Sequence, residues 1–368
     1  MRDDIVRWCR AILPECGVKF LRNIKYKPRF AIRRRISVAK AAMRVTKVDT
    51  KRIPIGSDEI RAFMVVRNES LRLPFMLEYY LQRGVDRLFI VDNNSDDETP
   101  SVVLSHERAH LFFTTDDYAH QGAWIDLLLR RYGAGHWCLV IDADEVFIYP
   151  NYETVSLREL CILLDEESVN TVHCVLLDMY PDMPLSQVRY QKGTNPLSIA
   201  PWFDNVSYEG DFDVPEYMEE WALQYRGPKL VRGGMRQRVF GVFPVLSKFP
   251  LVKFNKKMCL SPGTHFIQGA RVSQIRGGLL HFKYLDDFYD SVKREVERRQ
   301  HYNNAIEYRG YLEKVKREEN FALLCGHSIK YENSEQLVMV GVMKTSDRLR
   351  ALAKAADTGT SKNLLTGD

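Results

Sequence analysis

Long apolar runs are missing from this 368-residue chain. No stretch approaches the roughly 20 apolar residues needed to span a bilayer, which argues against a helical integral membrane protein. The N-terminus has neither the apolar core nor the small-residue cleavage site of a secretory signal, so none is expected. Cysteine is sparse: seven residues, an odd number, at positions 9, 16, 138, 161, 174, 259 and 325. They form no close pairs, which speaks against a disulfide framework or a cysteine-based zinc cluster. Cys138, Cys161 and Cys174 lie in apolar runs, and reduced, buried thiols in a cytoplasmic protein are the natural expectation. There is no low-complexity tract and no internal repeat. No recognised nucleic-acid module is found either, so nucleic acid is not an expected partner.

What is present is a globular composition, 45% hydrophobic and 27% charged. The length suits one large α/β domain with extensions, or two domains. The net charge of +5 hides an asymmetry, because residues 1–52 hold 16 Lys/Arg against 4 Asp/Glu and the rest is net acidic. Within residues 19–47 the cations alternate with Ile24, Phe30, Ile32, Ile36 and Val38. That mixture suits an anionic membrane surface, with the chain peripheral on the inner face of the membrane. A solvated, partly disordered arm is the alternative. The expected organisation is a basic extension over 1–58, a catalytic domain over 59–300 and a helical C-terminal extension with a polar tail over 301–368.

From Ile60 onward short apolar runs alternate with amphipathic segments. Strands are expected at Arg61–Val66, Arg87–Val91, Leu111–Thr114 and Trp137–Ile141, with helices at Leu71–Gln82, after Asp97, and at Gly122–Arg131. Four strand–helix alternations predict a mostly parallel, Rossmann-like sheet flanked by helices. A helix (Ser156–Glu167) and a strand (Thr171–Leu177) follow. Tyr180–Gly234 is rich in Pro, Gly, Asp and aromatics, as in a functional loop or lid. Strands resume near Leu251–Phe254 and Gly278–Tyr284, and Asp286–Gln300 reads as helix.

Trp137–Glu145 reads WCLVIDADE, an apolar run ending in three acids within four positions. A buried isolated acid costs several kcal/mol unless paired or bound to a cation. Side chains alternate along a strand, so Asp142 and Asp144 are placed to share a side. Two hard oxygen ligands suit Mg²⁺ or Mn²⁺ that is also held by a diphosphate. At the carboxyl edge of a parallel sheet such acids stand where open α/β sheets bind ligands.

Taken in order, MVVRNESLRLPFMLEYYLQRGVDRLFIVDNNSDDET, QGAWIDLLLR, VIDADE and the late GLLHFKYL make the chain resemble the glycosyltransferase family 2-like group, over roughly residues 60–300. The resemblance implies an A-type glycosyltransferase fold and a nucleotide-sugar donor. It also implies inverting transfer to a saccharide or lipid-linked acceptor in surface polysaccharide synthesis. It places Asn68 and Glu69 near the uridine and ribose, Asp92 at the base and Asp126 at the donor sugar. Asp144 becomes the direct metal ligand, with Asp142 supporting it at the metal or ribose. His281 would be a further metal ligand, Lys283 would reach the diphosphate, and His265 is a weaker candidate for either role. Each also has a structural reading: helix entry for Asn68 and Glu69, a solvated face for Asp126, a core histidine for His281. Asn93, Asn94 and Ser95 read as turn residues and Asp97 as a cap.

The chain departs from that family at the base, since the usual Glu-Asp pair and its following Gln/Arg-x-x-Arg-Trp signature are absent. Asp204, Asp211, Asp213, Glu219 and Glu220 are the acids in the irregular stretch, and Asp213 is the first choice as base. Arg232–Arg238 suits phosphate or acceptor contact, or a solvated turn. Two other functions stay open. A haloacid-dehalogenase-like phosphatase also carries D-x-D after an apolar strand, but on its first strand. A non-catalytic nucleotide-sugar-binding module would need no base at all.

Overall fold

The computed structural model describes residues 32–56, 58–208, 210, 227–260, 265–298, 300, 302–318 and 320–357. Asp211, Asp213, Glu219 and Glu220 therefore lie outside the described residues, as do residues 19–31 of the basic arm. The strands are β1 (Thr46–Lys47), β2 (Ile60–Val66), β3 (Arg87–Asp92), β4 (Ala109–Phe113), β5 (Trp137–Val140), β6 (Glu145–Ile148) and β7 (Thr171–Asp178). They continue with β8 (Trp202–Asp204), β9 (Ser247–Lys248), β10 (Leu251–Lys253), β11 (Cys259–Leu260), β12 (Ile267–Gln268), β13 (Val272–His281) and β14 (Ser328–Lys330).

The main sheet runs β1-β4-β3-β2-β5-β10-β7-β13-β6, with β9 paired to β7. The block β4-β3-β2-β5 is parallel, as the strand–helix alternation predicts. Beyond it the sheet is mixed. β7 and β13 are parallel, whereas β10 is antiparallel to both neighbours and β6 is antiparallel to β13. The antiparallel additions are short strands: β6 directly follows the acidic connection and β9 and β10 follow the irregular stretch, where neither period nor turn chemistry announces a direction.

Both faces of β2 are buried, and its period of two divides the core. Ala62, Met64 and Val66 face one side, with the helix Leu73–Gln82 and its Met76, Leu77 and Tyr80. Phe63 and Val65 face the other, with Trp124 and Leu128 of the helix Gln121–Leu128. Each Val, Leu, Met or Phe side chain among them contributes about 1.5–3 kcal/mol on full burial. The helix Leu157–Glu166 starts where expected, at Ser156, through a capping box with Glu159.

The described parts of both flanking regions join this core. Residues 32–44 are helical and bury Ala41, and β1 extends the sheet by pairing with β4. At the other end β14 pairs with β8, and Leu337, Val342, Met343, Leu349 and Leu352 belong to the central cluster. The described part of the irregular stretch is packed as well. Tyr180, Leu185 and Val188 share an aromatic cluster with Phe240, Tyr284, Phe288 and Tyr311.

Candidate functional site

Within the parallel block the chain steps outward from β2 to β3 to β4 and then returns to β5 on the other side of β2. That reversal makes the carboxyl ends of β2 and β5 the switch point, where open α/β sheets have their ligand crevice. Glu69 follows β2, and Asp142 and Asp144 follow β5. The acids do not extend the strand. β5 ends at Val140, and Ile141–Asp144 forms the connection that leads from β5 to the far-edge strand β6. In this connection the two carboxylates take different partners instead of sharing a face.

Asp142 turns to Lys248, whose Nζ donates to Asp142 Oδ2 at 2.8 Å and to Glu145 Oε1 and Oε2 at 2.9 and 2.6 Å. Glu145 Oε2 also accepts the Asp142 backbone N–H at 3.0 Å. Lys248 and Glu145 are buried, whereas the Asp142 side chain is 40% exposed. Burial lowers the Lys248 ammonium, but Asp142 and Glu145 outweigh it and hold the group above its ordinary range. The pair acts as a brace under the acidic connection.

Asp144 turns to His281, with Nε2 3.1 Å from Asp144 Oδ2. The other ring nitrogen, Nδ1, lies 2.7 Å from Asp178 Oδ1. Strand register creates this row, because His281 is opposite Asp178 on β7 and opposite Glu145 on β6. Arg236 Nε donates to Asp178 Oδ2 at 2.9 Å, and its Nη1 reaches Glu307 at 3.3 Å. Burial disfavours the imidazolium, yet Asp144 and Asp178 raise the His281 pKa. Burial likewise opposes the Asp144 carboxylate, but His281, Lys283 and Arg72 hold it well below the usual carboxylate range.

Glu69 completes the inner wall. Burial first, then the fields of Asp144 and Asp287, push its carboxyl up to about 8 against the pull of Arg72 and Lys283. Arg72 is committed to Asp287 through two hydrogen bonds, of 2.9 and 2.5 Å, and to the Phe282 carbonyl at 3.1 Å. Lys283 Nζ rests over the Tyr308 ring, 5.0 Å from its centroid, and donates to the Tyr308 hydroxyl at 3.2 Å. His265 holds Nδ1 3.1 Å from the Ser247 carbonyl oxygen, and burial together with Lys248 pushes its pKa down to about 4.

Other expected site residues have structural partners. Asn68 sits at φ 55° and its Oδ1 accepts from Asp96 N–H at 2.9 Å. Asp92 is buried and accepts from both the backbone and the hydroxyl of Ser95, so it shapes the turn after β3. Asp97 accepts from Thr99 and Ser70 N–H and ties the two loops together. Asp126 is not brought to the crevice acids: it forms a double hydrogen bond with Arg34, at 2.7 and 2.8 Å, and lies 3.3 Å from Arg130. Asp204 is buried under Arg238 and the Tyr180 hydroxyl.

Among the described residues no group of three or more His, Cys, Asp or Glu side chains is already set to hold a metal ion. Asp144 and His281 converge, while Asp142 is engaged by Lys248. Lys248 and Asp178 are the participants that the sequence reading missed, and Arg236, read there only within the Arg232–Arg238 run, is buried against Asp178. Lys248 had left a signal, as a single cation inside the apolar run PVLSKFPLV. Asp178 had none, since only strand register brings it to His281, whereas Arg236 belongs to the Arg232–Arg238 run and reaches Asp178 from the helix Met235–Phe240.

No family model matches the chain. A glycosyltransferase family 92 protein of Ricinus communis is 33% identical over 90 residues, which is 23% of this chain and 16% of that relative. Among solved structures, a 4-diphosphocytidyl-2C-methyl-D-erythritol synthase is similar at 12% identity and a TM-score of 0.23, covering 37% of this chain and 65% of that one. HddC from Yersinia pseudotuberculosis is similar at 13% identity and a TM-score of 0.22, covering 36% and 70%. Overlays this partial establish neither fold nor function.

Proposed function

We propose that this chain is a glycosyltransferase that draws on a nucleotide-diphosphate sugar, with Asp144 and His281 as the pair that holds a divalent cation, Mn²⁺ or Mg²⁺. The observation that carries the proposal is the Asp178–His281–Asp144 row at the carboxyl edge of the sheet. A carboxylate on Nδ1 fixes the tautomer and leaves Nε2 directed at the acidic connection, the usual outer-shell arrangement of a metal-bound histidine. A hard carboxylate oxygen beside an imidazole suits these ions. When bound, the cation would supply charge neutralisation on the departing diphosphate.

The protein's own groups account for the rest. Lys248 fixes Asp142 and the acidic connection, so the carboxylates are positioned before a donor arrives. Lys283, in the field of Asp144, adds a positive charge on the diphosphate side. Glu69 stands at the same edge, where a ribose hydroxyl can donate to it. The acceptor is a saccharide or lipid-linked hydroxyl, and transfer proceeds with inversion. Its general base belongs to the stretch that contains Asp213. The similarity to a family 92 glycosyltransferase over 90 residues supports sugar transfer as the reaction class.

The test is release of nucleoside diphosphate from a panel of nucleotide sugars by the purified chain. Activity should require Mn²⁺ or Mg²⁺, stop on chelation and disappear in Asp144→Ala. Chelator-insensitive turnover, or full activity in Asp144→Ala, would overturn the assignment.

A further inference from the structure

The helix over residues 32–44 has two faces with different fates. One is docked: Ala41 and the following Val45 are buried, Val38 packs against the same cluster, and Arg34 binds Asp126 and the Met258 carbonyl. The other carries Ile32, Ile36 and Met43, spaced to fall on one helical stripe. They are 57%, 51% and 77% exposed. Cations border the stripe, since Arg33, Arg35 and Lys40 are all exposed and Arg44 is half exposed beside Asp116.

Large apolar side chains aligned along a rim of positive charge are what an interfacial helix offers to lipid: apolar groups enter the acyl boundary while cations meet anionic headgroups. We propose that this outward face of residues 32–44 is a docking surface for an anionic lipid bilayer. Charge complementarity selects that occupant. A second copy of the chain is disfavoured, because two-fold pairing of the stripe would bring cationic rims together. The sequence just before it continues the pattern with Lys19, Arg22, Lys25, Lys27 and Arg29. The Arg34–Asp126 bond would then hold the domain rigidly against the membrane plane, unlike a tether on a loose arm. The inference is independent of the donor assignment.

The experiment is co-sedimentation of the full chain with phosphatidylcholine vesicles, with and without phosphatidylserine, at low and high salt. The chain should bind only the phosphatidylserine vesicles and be released by salt. Two variants separate the contributions: Ile32→Ser/Ile36→Ser/Met43→Ser removes the stripe and Arg35→Glu/Lys40→Glu reverses the rim. The charge reversal should weaken vesicle partition on the order of 100-fold. The stripe variant should lose retention at high lipid. Both should keep the wild-type melting temperature, because the altered side chains are exposed. Equal binding to neutral vesicles, no binding by the full chain, or unchanged partition of either variant would overturn the proposal. So would a dimer in sedimentation velocity that the stripe variant converts to monomer.

Discussion

Lys248→Met tests whether the acidic connection is braced from below. The ammonium is fully buried and holds both oxygens of a buried Glu145 together with one of Asp142. Removing one partner of a buried ion pair typically costs about 3–5 kcal/mol, because a charge is left without compensation. Asp142 is 40% exposed and can be solvated in the variant, so the penalty falls on Glu145. Burial already pushes the Glu145 carboxyl up to about 7, so proton uptake limits its cost. The expected loss is therefore near the lower end, about 3 kcal/mol. A domain with about 5–15 kcal/mol of stability should still fold. Adding Glu145→Gln removes the stranded charge, and the double variant should be more stable than the sum of the single losses by at least about 1 kcal/mol. Urea denaturation followed by tryptophan fluorescence reads all three variants. A loss below about 1 kcal/mol in Lys248→Met, with strict additivity in the pair, would refute the brace.

His281→Ala should weaken Mn²⁺ or Mg²⁺ activation by roughly 10–100-fold, and Asp178→Asn should do so through loss of ring orientation, on the scale of outer-shell changes. Titrating the cation against donor turnover distinguishes this from a purely structural histidine, whose loss would lower stability without moving the cation dependence. Burial, with help from Arg276 and Lys344, pushes the His173 pKa down to about 3. The unfolded state therefore binds the extra proton first, and stability should fall as pH drops from about 6.5 toward 3. At pH 5 the contribution of this residue is about 2 kcal/mol, and His173→Gln should flatten that part of a urea-midpoint profile. Arg34→Ala should lower stability by about 1–3 kcal/mol by leaving Asp126 short of donors. Nucleotide release in that variant should stay near wild type in the same assay.

The parallel block was legible because its strands are apolar runs separated by helices. The boundaries of Ile60–Val66, Leu73–Gln82 and Trp137–Val140 fall within two residues of their expected places. In the mixed half, strands at Thr171–Asp178, Leu251–Lys253 and Val272–His281 were legible, but their directions were not, and the short strands β6 and β9 were not expected. The acids were legible as a cluster at the end of an apolar strand but not as a geometry: alternation along a strand would have aligned Asp142 and Asp144, whereas both lie in the connection that follows it. Asp126 read as a donor contact or a solvated helix face, and its pairing with Arg34, remote in sequence, was not foreseen. The basic segment looked like a loose extension, yet its described end is tied to the core by that pair and by β1. The family 2-like resemblance rested on ordered motifs, while the matched relative bears a family 92 name over a limited span.

The most direct measurement is the thermal shift of the purified chain with nucleotide-diphosphate sugars, each with and without Mn²⁺, in wild type and Asp144→Ala. Ligand at 100 times its dissociation constant should stabilise the fold by about 2.7 kcal/mol. The account predicts that one class of nucleotide sugar raises the melting temperature only with the cation, and that Asp144→Ala abolishes the rise. A cation-dependent shift retained in full by Asp144→Ala, or no shift with any donor, would contradict it.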